Sequence, residues 1–203
     1  MVVHAANADR PRPSTYWRYA MRSPTSFGAL LALLALLLLA PSSAVAQSTP
    51  PQLDDATIVA IFDAANTADI ETGALAAEKG SSQAVRDYGA MLARDHKAVR
   101  QMGRDLAKKL GVTPTPPADD ASAKAHAAAM TSLRAKSGHD FDHAFLQHEI
   151  AFHQNVIDAL NGTVIPAIQN DELEALVLKV APAFEAHKQA AKQIDDKLAG
   201  SSH

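Results

Sequence analysis

Beyond residue 53 apolar positions recur every three or four residues, the spacing of helices that each bury one face. Asp54 or Asp55 can cap a first helix that runs to Lys79 and stops at Gly80. Ser81 or Ser82 opens a second, which runs to Leu110 and stops at Gly111. Pro114, Pro116 and Pro117 then force a loop, and Asp119 and Asp120 precede a shorter helix that reaches about Ala135 and is closed by Gly138. A third long helix begins near Asp140 and runs to about Leu160, where Asn161-Gly162 is a natural stop. From Thr163 to Gln169 the pattern is ambiguous, because Val164-Ile165 suits a continuing helix and Pro166 a kink. Asn170 or Asp171 caps the last helix, which ends near Leu198 ahead of Gly200. No stretch alternates in the manner of a strand. These elements predict an all-α four-helix bundle with a short extra helix between the second and third long helices.

The inward stripe of each long helix carries one polar residue among apolar ones. In the first helix Ile61, Ala65, Ala68, Glu71 and Leu75 line up, and in the second Leu92, His96, Val99 and Leu106. The third gives Leu146, Ile150, His153 and Ile157, and the last Val180, Phe184, His187 and Ala191. Burying such groups without partners costs about 1–3 kcal/mol each. All four lie near mid-helix, so Glu71, His96, His153 and His187 can be partners for one another, with small Ala68, Gly103 and Ala191 leaving room. A carboxylate and three neutral imidazoles are ligands for zinc, iron, manganese or copper. Asp95, Asp142 and Glu149 are candidates to orient the imidazoles from behind. Asp95 points about 100° around the helix from His96 and suits a neighbour's ring better. His148 shares a second face with Phe141, Phe145 and Phe152 and reads as a packing residue, while Pro182 frees the Leu178 carbonyl inside the last helix.

The first quarter of the chain differs. Arg22, a nearly uninterrupted apolar run from Phe27 to Ala40, the break at Pro41-Ser42-Ser43 and the small residues of Ala44-Val45-Ala46 form the three parts of a secretory signal. The run is shorter than the roughly 20 apolar residues of a permanent anchor. Met21 offers an alternative start, and residues 47–53 a short leader before a bundle domain at 54–199 and a tail at 200–203. The expected product is a periplasmic or secreted protein with no membrane span after cleavage.

Composition narrows the chemistry. The 203 residues include no cysteine, which excludes disulfides, thiol nucleophiles and iron–sulfur clusters. Removing residues 1–46 takes away four arginines and one aspartate, leaving 15 basic and 21 acidic residues and a net charge of −6. Nucleic acid is therefore not an expected partner. A homo-oligomer is compatible with the pattern.

Four segments resemble a known family: Ile70-Glu71-Thr72-Gly73 with Ala76-Ala77, Met91 through Asp95-His96, Phe141-Asp142 through His153, and Ala181-Pro182 through His187. In order and spacing they are similar to the domain-of-unknown-function 4142 family, exported bacterial proteins often labelled outer membrane proteins. The resemblance covers about Asp54 to Leu198 and implies a ferritin-like bundle with a signature of Glu71, His96, His153, His187 and Asp142. It implies no activity. The chain departs from the di-iron pattern of two Glu-x-x-His motifs, since Glu149 and His153 are four apart and Ala93 stands three before His96. Three readings stay open: an interior metal site serving metal handling or envelope stress protection, a structural module whose inward side chains form a polar cluster, and a metal-dependent enzyme of unknown substrate with Glu149 as base.

Overall fold

The computed structural model describes residues 53–200, so the signal segment and residues 201–203 lie outside the described residues. Helix α1 (Asp55–Lys79) starts where the Asp54 carboxylate accepts from Thr57 N at 2.8 Å. Helix α2 (Gln83–Leu110) starts at Ser82, whose hydroxyl accepts from Val85 N. It ends at Gly111, which takes the left-handed conformation (φ 68°) that closes a helix at least cost in glycine. The proline loop is stitched to the start of α1 by Thr115 N donating to Ala56 O. Helix α3 (Ala121–Arg134) begins at Asp120, buries only Met130 and Leu133, and leads into α4 (Gly138–Ala159). Gly138 thus opens α4 with a positive φ of 59° rather than merely closing α3.

Asn161-Gly162 does not end the third long helix. The chain continues as a π-helical turn (Leu160–Val164) and a single turn α5 (Ile165–Ala167), because Leu160 and Val164 are buried and hold that segment in the core. Helix α6 (Asp171–Gly200) then begins with Asn170 Oδ1 accepting from Glu172 N and Leu173 N, and continues through Pro182. Among the described residues there is no strand.

Two apolar clusters make the core. One joins Ile58 and Val59 of α1, Ala107 of α2, Leu160, Val164, and Leu173, Val177, Val180 and Phe184 of α6. The other joins Ala76, Val85, Tyr88, Leu92, Leu133, Phe141, Phe145, Leu146 and Ala191. Both α2 and α4 therefore begin in the second cluster, whereas α1 and α6 begin in the first. A bonded contact between the start of α2 and Asp142 near the start of α4 agrees with this. The helices do not alternate along the chain, as equal short connections would make them. The long connection with α3 crosses from one end of the bundle to the other, so α2 and α4 run parallel. The closest pairs, α1 with α2 and α4 with α6, are antiparallel.

Candidate metal centre

Each long helix passes from one apolar cluster to the other through a polar layer. Asn66, Asp69 and Thr72 come from α1, His96 from α2, Glu149 and His153 from α4, and His187 from α6, all buried. Close approach of α1 and α2 is required here. A Cβ on Gly89 would lie 2.6 Å from the Gly73 carbonyl oxygen, and one on Gly73 would lie 2.7 Å from that of Gly89. Tyr88 ties α2 to α6 at this level through its hydroxyl, which donates to the His187 carbonyl at 3.0 Å.

Hydrogen bonds set the proton position on His96 and His153. Asn66 Nδ2 donates to Phe62 O at 2.8 Å, which turns Oδ1 toward His96 Nδ1 at 2.9 Å. An amide oxygen only accepts, so His96 carries its proton on Nδ1 and presents the Nε2 lone pair inward. His153 Nδ1 donates to the Glu149 carbonyl at 2.9 Å, leaving Nε2 buried without a partner. His187 Nε2 faces Asp95 Oδ2 at 3.6 Å, so its inward atom is Nδ1. That atom lies 3.2 Å from His96 Nε2. One nitrogen from each of the three rings falls within 4.8 Å of the other two. The rings fan rather than stack, with His153 and His187 at 84° to one another.

Behind the rings stand carboxylates. Asp69 Oδ2 is 3.3 Å from His96 Nδ1, and Glu149 Oε2 is 3.5 Å from His153 Nδ1. With Asp95 behind His187, every imidazole has an acid on the side away from the convergence point, the arrangement that fixes tautomer and raises ligand basicity. The oxygens of Asp69 and Glu149 have no N–H or O–H donor of the protein aligned on them. They lie close enough to pair with each other when one is protonated, forming with His153 a second group of mutually adjacent donor atoms. Burial pushes Glu149 up to about 7, and burial with the neighbouring Glu149 charge pushes Asp69 well above the usual carboxylate range. Burial also pushes His96 down to about 3 and His153 to about 4, helped by the other imidazoles, and lowers His187 against the opposing pull of Asp95. All three rings are thus neutral at ordinary pH.

His96, His153 and His187, each expected on an inward stripe, are brought together. Glu71 is not. It is exposed on α1 and bonds His126 Nε2 of α3 at 2.8 Å, which corrects its assignment to the interior. The buried α1 stripe runs one position away, through Asn66, Asp69, Thr72 and Ala76, and small apolar residues on every side of this helix hid that register. The readable signal was the polar series at threes, Asn66, Asp69 and Thr72, next to Gly73, the position that meets α2. Asp142 is buried, yet its carboxylate accepts from Ser81 N, Ser81 Oγ and Ser82 N at 2.7–2.8 Å, which makes it a cap on α2 and not a support for the histidines. Asp95 and Glu149 do stand behind imidazoles, the latter behind the ring on its own helix. His148 packs on Phe152 outside the group.

The domain family described as Domain of unknown function (DUF4142) matches residues 40–194. The chain belongs to this family. The DUF4142 match takes in the whole polar layer and carries no activity with it. Searches of curated proteins and of solved structures find no match.

Proposed function

We propose that the polar layer binds one transition-metal ion through His96, His153 and His187, in an exported ferritin-like bundle that handles metal and through it protects the cell envelope. The observation that carries this reading is the convergence of one nitrogen from each of His96, His153 and His187 within 4.8 Å, with His96 Nε2 and His187 Nδ1 3.2 Å apart and His153 Nε2 without a partner. With the His187 proton on Nε2, on the side of Asp95, both inward nitrogens are acceptors and repel unless a cation lies between them. A proton is a poor candidate because burial holds all three imidazoles below their ordinary basicity. A metal ion with nitrogen ligands at about 2.0–2.1 Å in a tetrahedron sets those nitrogens about 3.3 Å apart, which the observed spacing approaches. Imidazole donors without thiolate suit zinc, copper or iron better than manganese. Ferritin-like connectivity is supported by the single long crossover between α2 and α4. Export rests on the signal pattern of Met21–Ala46. No helix among the described residues is long and apolar enough to cross a membrane. Glu149 is a poor general base for a molecule entering from solvent, being fully buried on the far side of His153.

Elemental analysis of untagged protein from its own envelope fraction tests the reading. About one equivalent of a transition metal is expected in the wild type and in Glu71→Gln, and none in the His96→Ala/His187→Ala double variant. A folded wild type that neither contains nor takes up metal would leave a hydrogen-bonded polar layer as the role of these residues.

A further inference from the structure

The metal reading leaves one coordination position undecided, and the surroundings of the histidines say what fills it. Exposure falls from 7% at His187 to 2% at His96 and zero at His153, so the centre is approached from the α2–α6 side. On that side lies a pocket of about 260 Å³ whose floor includes His96 and His187. Its walls are Val99, Val180, Ala183 and Phe184, and the one charged side chain on it is Asp95. Phe184, at the edge of the first apolar cluster, also packs on the His96 and His153 rings, with centroids 5.8 and 6.0 Å away. Asp69 and Glu149 do not line the pocket.

Resting on the metal reading, we infer that the ion's fourth position opens into this pocket and takes a small monoanion from solution in exchange for water. Three neutral imidazoles leave a divalent ion its full charge, which draws an anion to the open position. The side chains lining the pocket supply no lysine or arginine, and Asp95 adds a negative charge at the wall. A polyanion such as sulfate would lose its hydration there without replacement, whereas a compact monoanion gives up far less. The exchange is a substitution: one water leaves as one anion binds, with no change in oxidation state.

Cobalt(II) is the probe, loaded into metal-stripped protein and followed by its visible absorption. One equivalent is expected, lost in His153→Ala. Azide should then shift the spectrum and saturate in the millimolar range, while sulfate at equal ionic strength leaves it unchanged. Filling the pocket with Ala183→Phe should preserve cobalt stoichiometry and weaken azide at least tenfold, with Val99→Phe on the opposite wall as a second blocking variant should the first not fold. Cobalt that does not bind, or that survives His153→Ala, defeats the metal reading itself. Cobalt bound normally but indifferent to azide overturns only the open position, and implies that Asp69 or Glu149 closes the shell. Equal azide affinity in the blocked variants overturns the pocket as the route, and sulfate binding as tight as azide overturns the charge preference.

Discussion

At the scale of single residues, position on the helix decides whether a carboxylate matters to the centre. Asp95 stands 3.6 Å from His187 Nε2, and Asp95→Asn should weaken metal binding about 10–100-fold, measured by competition with a chelator. Glu71 reaches only His126, so Glu71→Gln should leave metal affinity unchanged and shift stability by less than about 0.5 kcal/mol. Reversal of these two results would restore Glu71 to the interior. The buried acids and bases also set a pH profile for the metal-free protein. His96, His153 and His187 stay neutral in the fold, whereas in the unfolded chain they take up protons below about 6.5, so acidification costs stability as pH falls from there toward 4. Glu149 and Asp69 act in the opposite sense, since the fold keeps protons that the unfolded chain releases above about 4.5, and that contribution fades as pH rises through about 7. Three imidazoles outweigh two carboxyls only while the unfolded rings are mostly protonated, from about pH 4.5 to about pH 6. Urea midpoints of the metal-free protein should therefore rise across that window, reach a maximum near pH 6 and decline above it. A profile that falls steadily from about pH 4.5 to about pH 6 would contradict the neutral-imidazole assignment.

At the scale of elements, contacts between helices carry more than the caps within them. A Cβ added at Gly89 meets the Gly73 carbonyl, Ala76 Cβ and Ala77 N, all under 3 Å, so α1 and α2 would have to part. Gly89→Ala should cost about 1–3 kcal/mol by denaturant titration, even though alanine favours a helix by about 1 kcal/mol. Stabilisation of that variant would refute the close crossing. Asp142 joins the α1–α2 corner to α4 with three short bonds from a buried carboxylate. Asp142→Ala leaves Ser81 N and Ser82 N without their acceptor and should lower stability by about 3 kcal/mol, while metal stoichiometry in the folded fraction stays at wild-type level. The helix boundaries were largely legible, since Asp54, Ser82, Asp120 and Asn170 cap by local chemistry. The π turn at Leu160–Val164 was not, because burial of two side chains overrode the Asn-Gly stop.

For the whole molecule, a bound ion links the helices at mid-height, where two apolar clusters are separated by groups that are costly to bury. At a free ion concentration about 100 times the dissociation constant, binding adds about 2.7 kcal/mol. For a chain of this size that corresponds to about 5–10 °C in Tm. Removing metal with a chelator should lower Tm by that amount in the wild type and leave the His96→Ala/His187→Ala variant unmoved. An unchanged wild-type Tm, with metal shown to leave, would mean that the polar layer is stable by its own hydrogen bonds.

The sequence by itself determined which segments are helical, that they pack as a bundle, and that three histidines lie on buried stripes. Those properties follow from local caps and from a period of 3.6 residues read against apolar neighbours. Tertiary structure decided the rest. Direction of α4 depends on how far the Val112–Ser137 connection travels, and no local rule sets that length of travel. The register of α1 depends on the Gly73–Gly89 approach, because an alanine-rich helix has no single apolar face until a partner selects one. Hence Asn66, Asp69 and Thr72 entered the interior in place of Glu71, and the side of each imidazole that faces the others was settled only when the acids behind them were packed into position.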